Sequence, residues 1–510
     1  MTRFLSERNL QNIAQVSLVL AAGACLVLWF VRIYCAISFT RTYMMVTTGC
    51  EEESLFAIWR FVHGQAVYAD PNQIPFAASY FNWGYYGFYG SITKFWLNLL
   101  HLDSVWIPTI GRLVSLLFTL ISGGVFYLAL RRFGNEGWFS SVPTACAWCV
   151  ISVFGPLTGF WSITVRPDMG ALAFECSGLY LVLCYLQKRN LALVVVATLF
   201  FYAGWSFKQT AVSMLTGSAL TLLLVRDWRA FLTLGGLWWF LVLLAFALGG
   251  GRYRECVLFS QVHLPMTASL GMENGLRAEV KNVFFLPALL LTLYFFLARW
   301  RALAARPVET AVALVVLCGV ALASITSCKL GASDNYYIPA AWAAMLGVGL
   351  NLQRIGSRLG AAGLAGCSWI MITVIALSPT GHTFYYDYRA SDPVYRMVAA
   401  KLAHLPGPVF VTDRYANLPW VQPSPPYFVL GYAYDSDRRA GVACEQGGWE
   451  GLIGEGYFGT VVLAQGVLAP PSLAQKYELV DEYQDFYNDY KFYRRKLETR
   501  EKAGKGPVEF

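Results

Sequence analysis

The sequence predicts an α-helical polytopic membrane protein, with about eleven transmembrane helices and a small C-terminal α/β domain outside the cytoplasm. Three observations predict it. Hydrophobic residues make up 56% of the 510-residue chain and charged residues 14%, with a mean hydropathy of +0.47. That is more apolar surface than a soluble core uses, and ordinary globular chains carry about 25% charge. The charges are unevenly divided: residues 1–379 hold 25 Lys/Arg and 15 Asp/Glu, whereas residues 380–510 hold 14 and 16. Apolar runs that cross, or nearly cross, about 30 Å of hydrocarbon recur through the first part only. Disorder, collagen, coiled coil and small disulfide scaffolds are excluded. The division expected is a membrane block over 1–379 and a water-soluble domain over 380–510.

The runs fall at 14–37, 109–130, 138–157, 169–187, 191–207, 210–225, 231–249, 283–298, 307–326, 338–352 and 360–378. Loops between them alternate. Arg131-Arg132, Lys188-Arg189, Arg226 with Arg229, Arg299/Arg301/Arg306, and Arg354 with Arg358 mark short basic loops. By the positive-inside rule these face the cytoplasm, together with Arg3 and Arg8. The segments 38–108, 158–168, 207–209, 250–282, 327–337 and everything after 379 then lie outside. The net charge of +8 is thus mostly an orientation signal, and no nucleic-acid partner is implied. Ala21-Ala22-Gly23-Ala24 would suit a signal-peptide cleavage site. The apolar stretch, however, exceeds the usual ~7–15 residues, and Trp29-Phe30-Val31 continues past it, so the first run reads as a retained span.

The first outer loop, 38–108, is too long for a connector. It contains Glu51-Glu52-Glu53 followed by an amphipathic helical pattern, Leu55 to Val62. Three adjacent carboxylates beside an apolar surface raise one another's pKa, the condition for a general base near neutral pH or for holding a divalent cation. At ~100° per residue no more than two can face one point. The alternative is a solvated acidic helix start favoured by the helix dipole. Further on, Ser79-Tyr80-Phe81-Asn82-Trp83-Gly84-Tyr85-Tyr86 to Gly90 is dense in aromatics and glycines. Such a stretch suits the membrane interface or stacking on sugar rings and isoprenyl chains, with Tyr80, Asn82 and Trp83 as the sugar or acceptor contacts.

Three shorter outer segments carry charge that a plain hairpin does not need: Arg166-Pro167-Asp168, Lys208-Gln209-Thr210, and Lys329 to Tyr337. Charges beside spans are costly and usually face a cavity. Arg166, Lys208 and Lys329 on the side of the carboxylates form a cationic set fit for a phosphate or pyrophosphate; snorkelling is the alternative for each one. Cysteines are less informative. Cys146-Ala-Trp-Cys149 lies within an apolar run and reads as helix packing. Cys50 and Cys328 flank the outer loops, where a disulfide between them is allowed.

In their order, these residues resemble a known family: an acidic motif in the first outer loop, Gly64-x-x-x-Tyr68-x-Asp70, an aromatic stretch, then R-P-D and K-Q-T at span junctions. The resemblance is to the GT-C membrane glycosyltransferases, in particular the bacterial relatives of protein O-mannosyltransferases and the lipid A aminoarabinose transferase. It implies transfer of a sugar from a polyprenyl-phosphate donor to a lipid, glycan or protein acceptor outside the cytoplasm, by single displacement with inversion, in the bacterial inner (plasma) membrane. The family's Asp-Glu motif aligns with Glu52-Glu53, with Glu in place of Asp and Glu51 as departures; the base then lies between the two, with Glu52 the favoured one. Asp168 then matches a supporting carboxylate. The stretch from Lys329 through Asn335 and Tyr336 matches a late element at the donor phosphate. Metal use varies across the family, so Mg or Mn at Glu52 and Glu53 is allowed but not required.

Strand-like runs at Pro408–Thr412 and Gly459–Leu463 and a Tyr-rich end predict the small α/β domain, where Asp413, Asp435 and Asp437 read as solvated loop carboxylates. Two other function classes compete. A transporter or flippase of a lipid-linked glycan predicts an internal repeat and ionisable residues in mid-span. An assembly subunit would tolerate loss of the Glu triplet.

Overall fold

The computed structural model describes residues 6–34, 36, 51–77, 79–134, 137–260, 262–298, 300–352, 357–377, 393–394, 396–412, 416–422, 424, 427, 431–464, 467–484 and 489–496. Arg3, Cys50, Arg354 and Asp413 lie outside the described residues.

Every one of the eleven apolar runs falls on a helix. They are α1 (Glu7–Tyr34), with two loop helices α2 (Glu52–Val62) and α3 (Trp83–Leu99) before α4 (Ile107–Phe133). Next come α5 (Val142–Phe154) with its short continuation α6 (Pro156–Trp161), α7 (Asp168–Lys188), α8 (Leu191–Phe207), α9 (Ser213–Leu224) and α10 (Trp228–Leu248). After them come α11 (Ala268–Lys281), α12 (Phe285–Ala298), α13 (Pro307–Thr326), α14 (Ile338–Asn351) and α15 (Ser357–Leu377). By length and composition α1, α4, α7, α10, α13 and α15 are able to cross a bilayer. The other five runs lie on helices of 12 to 17 residues, short of the ~20 that 30 Å requires. They are held by their neighbours: α14 is buried along nearly its whole length.

The local signals are visible at the ends. Ser141 caps α5 by accepting from the Thr144 N–H, and Pro143 occupies its first turn. On the loop side read as cytoplasmic, Arg189 adopts a left-handed conformation (φ 55°) to end α7, and its guanidinium pairs with Asp227 at 2.9 Å. Asp227 in turn caps α10 through the Ala230 N–H. The loop 250–282 differs from expectation by holding α11, which meets α12 at a 98° bend. The amphipathic α11 carries too little apolar surface to continue the run at 283–298 as one straight span.

The most buried span is α7, with 78% of its apolar window inside the protein. It touches α4, α8, α9 and α13. Gly170 makes one of these approaches: a Cβ there would stand 2.4 Å from the Phe207 ring. Phe207 therefore packs directly on α7, and Lys208, the next residue, is brought over the first turn of that helix.

Four strands form a mixed sheet in the order β1-β2-β4-β3, from β1 (Val409–Val411), β2 (Thr460–Ala464), β3 (Tyr477–Gln484) and β4 (Asp489–Arg495). Only the β1–β2 pair is parallel. Helices α16 (Gly431–Arg439) and α17 (Gly448–Glu455) accompany it. The segment between α1 and α4 enters this region. Phe76 is buried with Tyr434, Phe410 and Trp449, while the Ile74 N–H donates to Glu445 and the Glu445 N–H to the Asn72 carbonyl.

Candidate active site

The three first-loop carboxylates are all buried, and they point to different partners. Glu51 stands at the N-cap of α2. Its side chain pairs with Arg112 of α4 at 2.7 Å and accepts from the Val165 N–H at 2.6 Å, tying the start of α2 to α4 and to the segment before α7. Glu53 turns toward α3. Its Oε1 accepts from the Tyr86 hydroxyl and from the Tyr80 N–H (3.2 Å), and its Oε2 from the Ser54 hydroxyl at 3.0 Å. Burial pushes the Glu53 carboxyl up to about 7, against those three hydrogen bonds and the nearby charge of Arg166, which favour its ionised form. Glu52, between them, is also buried.

Of the segments singled out in the sequence, the structure brings R-P-D, K-Q-T and Asn335-Tyr336 together. Asp168 opens α7, where the helix dipole favours a carboxylate. Its Oδ1 accepts from Lys208 Nζ at 2.6 Å and from Asn335 Nδ2 at 2.7 Å, and Arg166 Nε lies 3.5 Å from Oδ2. The Lys208 ammonium rests 4.1 Å from the Tyr336 ring centre. Arg166 lies over Phe81 (5.4 Å) and Trp161 (5.7 Å). Arg166 acts electrostatically on both carboxylates, so it links Glu53 of the first loop to the Asp168 cluster. Asp168 with Arg166 and Lys208 carries one net positive charge.

Other expected contacts have different surroundings. Asn82 is fully buried and spends its amide inside the protein, donating to the Trp205 carbonyl (2.6 Å) and accepting from the Tyr253 hydroxyl (2.9 Å). Tyr80 is buried, with its backbone held by Glu53 and Gln209. The aromatic stretch forms helix α3, in which Gly84 and Gly90 let the backbone close on Ser206 and Phe61. Tyr85, Tyr86 and Tyr89 are inside, and Trp83 is exposed. Lys329 pairs backbone to backbone with Met266, and desolvation lowers its ammonium to about 8.

The sequence reading missed three participants. Lys281, at the end of α11, pairs with Asp334 at 2.6 Å, and Asp334 also accepts from the Trp161 indole at 3.1 Å. Glu175 of α7 accepts from Ser213 and from the Met214 N–H. Its signal was present as an ionisable residue in the middle of an apolar run. Asp334 was legible as the second charge of the Lys329–Tyr337 segment, but Lys281 needed the bend after α11 to bring it across.

Two spaces adjoin the site. A small cavity of about 30 Å³ is lined by Asp168, Glu175, Lys208, Ser213, Asn335 and Tyr336, with apolar residues such as Leu172 and Ile338 between them. An aromatic groove of about 310 Å³ runs between Tyr68, Trp83, Tyr202 and Tyr253 and the end of α10. For a divalent cation the donor set fits poorly. Glu51 and Glu53 are already engaged by protein donors, and no group of three or more His, Cys, Asp or Glu gathers among the described residues.

No protein-family model and no curated protein matches the chain in sequence. Solved structures do. ArnT from Cupriavidus metallidurans bound to undecaprenyl phosphate superposes with a TM-score of 0.57 at 14% identity, over 93% of this chain and 97% of that one. The same protein in the apo state gives 0.58 at 15% identity over the same shares. The chain shares the fold of ArnT. In the arrangement seen here, the acidic first loop, the R-P-D turn and the late Asn335-Tyr336 element come from distant parts of the chain and meet at one site.

Proposed function

We propose that this membrane protein is a glycosyltransferase that moves a sugar from a polyprenyl-phosphate donor to a lipid, glycan or protein hydroxyl. Reaction takes place on the outer face of a bacterial plasma membrane. The N-terminus lies in the cytoplasm, with the membrane block over 1–379 and an extracytoplasmic α/β domain over 380–510. The observation that carries the reading is Arg166, placed between a buried carboxyl near neutral pKa and a second buried carboxylate bound to a lysine. That is the pairing a displacement at the anomeric carbon with a phosphate leaving group requires: a base on one side and a cationic seat on the other.

In this mechanism the acceptor oxygen attacks the anomeric carbon, and the bond from that carbon to the donor phosphate oxygen breaks. The electron pair stays on the phosphate, whose added charge Arg166 and Lys208 neutralise. The acceptor proton passes to Glu53. Asp168 holds Lys208 and Arg166 in position. Arg recognises a phosphate in bidentate fashion and is pre-organised here by its two aromatic neighbours. The aromatic groove beside Trp83 suits the apolar chain of a lipid-linked donor.

The base assignment is tested by pH. A base works in its ionised form, so kcat/KM is expected to rise with pH to a half-maximum at about 7, the value to which burial pushes Glu53. Tyr86→Phe removes a donor that favours the ionised carboxyl, so the acid limb should move to higher pH. A limb that stays in place in Tyr86→Phe would assign it to another group.

A further inference from the structure

The hydrogen bonding around Asp168 leaves an unfilled demand. Both donors that reach it, Lys208 Nζ and Asn335 Nδ2, go to the same oxygen, Oδ1. Because the Asn335 amide must present its NH₂ to the carboxylate, its own oxygen faces the other way. Asp168 Oδ2 and Asn335 Oδ1 are consequently buried acceptors that no hydrogen bond from the described residues satisfies, although Arg166 Nε stands 3.5 Å from the former. Asn335 is 3% exposed and Asp168 7%. Buried acceptors left without donors lose their hydration with nothing in return, so two side by side in a cavity wall call for a ligand that supplies donors.

The cavity they line has the size and depth to receive one. At about 30 Å³ it has room for about two water-sized groups, too little for a sugar ring. Its floor is Glu175, seven residues and hence about 10 Å down α7 from Asp168. One oxygen of Glu175 caps the first turn of α9 through Ser213 and Met214, which fixes the floor in place.

The geometry points to a specificity subsite: the cavity takes one or two hydroxyl groups of the transferred sugar, donated to Asp168 Oδ2 and Asn335 Oδ1, with the ring left at the mouth beside Lys208 and Tyr336. This rests on the glycosyl-transfer reading above and adds which part of the substrate is selected. A site that hydrogen-bonds a hydroxyl rejects an analogue lacking it far more strongly than an apolar pocket rejects a lost methylene, because its own buried groups stay unpaired.

The test uses the full-length protein in lipid vesicles. Its probes are polyprenyl-phosphate-linked pentoses and hexoses, each compared with analogues lacking a single hydroxyl, and a membrane extract serves as acceptor. At least one sugar is expected to transfer, and removal of one particular hydroxyl is expected to lower kcat/KM by about 100-fold or more. In Asn335→Ala the ratio between parent and that analogue should fall toward one. Equal transfer of a parent sugar and all its single-deoxy analogues would overturn the subsite and leave glycosyl transfer standing. A ratio unchanged in Asn335→Ala would remove Asn335 from it. Transfer of none of the parent sugars would overturn the glycosyl-transfer reading and the subsite with it. The comparison on the unaltered chain decides the matter even where the variant fails to fold.

Discussion

Glu53→Gln is expected to lower the transfer rate by about 100- to 10,000-fold, the range that general-base catalysis contributes. The substitution keeps the shape of the side chain and an oxygen able to accept from Tyr86, Tyr80 or Ser54, so the packing of α2 against α3 is largely kept. What disappears is the ability to take a proton. The acid limb near pH 7 should disappear along with the rate, because the group that produces it has gone. Glu52→Gln, measured beside it, should lose less and keep the limb. The reverse order would move the base one residue back.

Glu51→Ala should act on the fold. Glu51 and Arg112 are both fully buried and 2.7 Å apart, so removing the carboxylate leaves a guanidinium inside the protein without its main counter-charge. Breaking a buried pair in this way costs about 3–5 kcal/mol, whereas replacing both partners with apolar groups of similar volume is often near neutral. Thermal unfolding in detergent should therefore show a large loss in Glu51→Ala and substantial recovery in Glu51→Leu with Arg112→Met. Where residual activity remains in Glu51→Ala, its pH limb should stay near 7, because Glu53 draws its hydrogen bonds from Tyr86 of α3, from Tyr80 just before it and from Ser54 of its own helix. Equal stability of the single and double variants would show that the pair does not anchor the loop.

These two predictions separate the members of a triplet that looked uniform in the sequence. Periodicity implied that no more than two of the three carboxylates share a direction, and in the structure Glu51 and Glu53 face different helices. Which one anchors and which one works could not be read, because the deciding partners, Arg112 and Tyr86, lie 61 and 33 residues away. The same limit applied to Asn82. Its polar side chain amid aromatics suggested a sugar contact, yet Trp205 and Tyr253, 123 and 171 residues distant, consume it. By contrast, Arg166, Asp168, Lys208 and Asn335 were legible as charged or polar residues next to apolar runs, where burial is costly unless partners are supplied. The apolar runs located the helices because continuous hydrophobicity is a local property. The bend between α11 and α12, which delivers Lys281 to Asp334, depends on packing and left no such local trace.

The central claim is that a lipid-linked sugar is cleaved and transferred here. The most direct measurement follows the lipid carrier. The full-length protein is reconstituted in vesicles with polyprenyl-phosphate-linked sugars and a membrane extract as acceptor, and free polyprenyl phosphate and glycosylated product are measured together. The account predicts that both appear in step and that both are lost in Glu53→Gln. Movement of the intact lipid-linked sugar between leaflets, with no polyprenyl phosphate released, is what a flippase would give, and it would contradict the account.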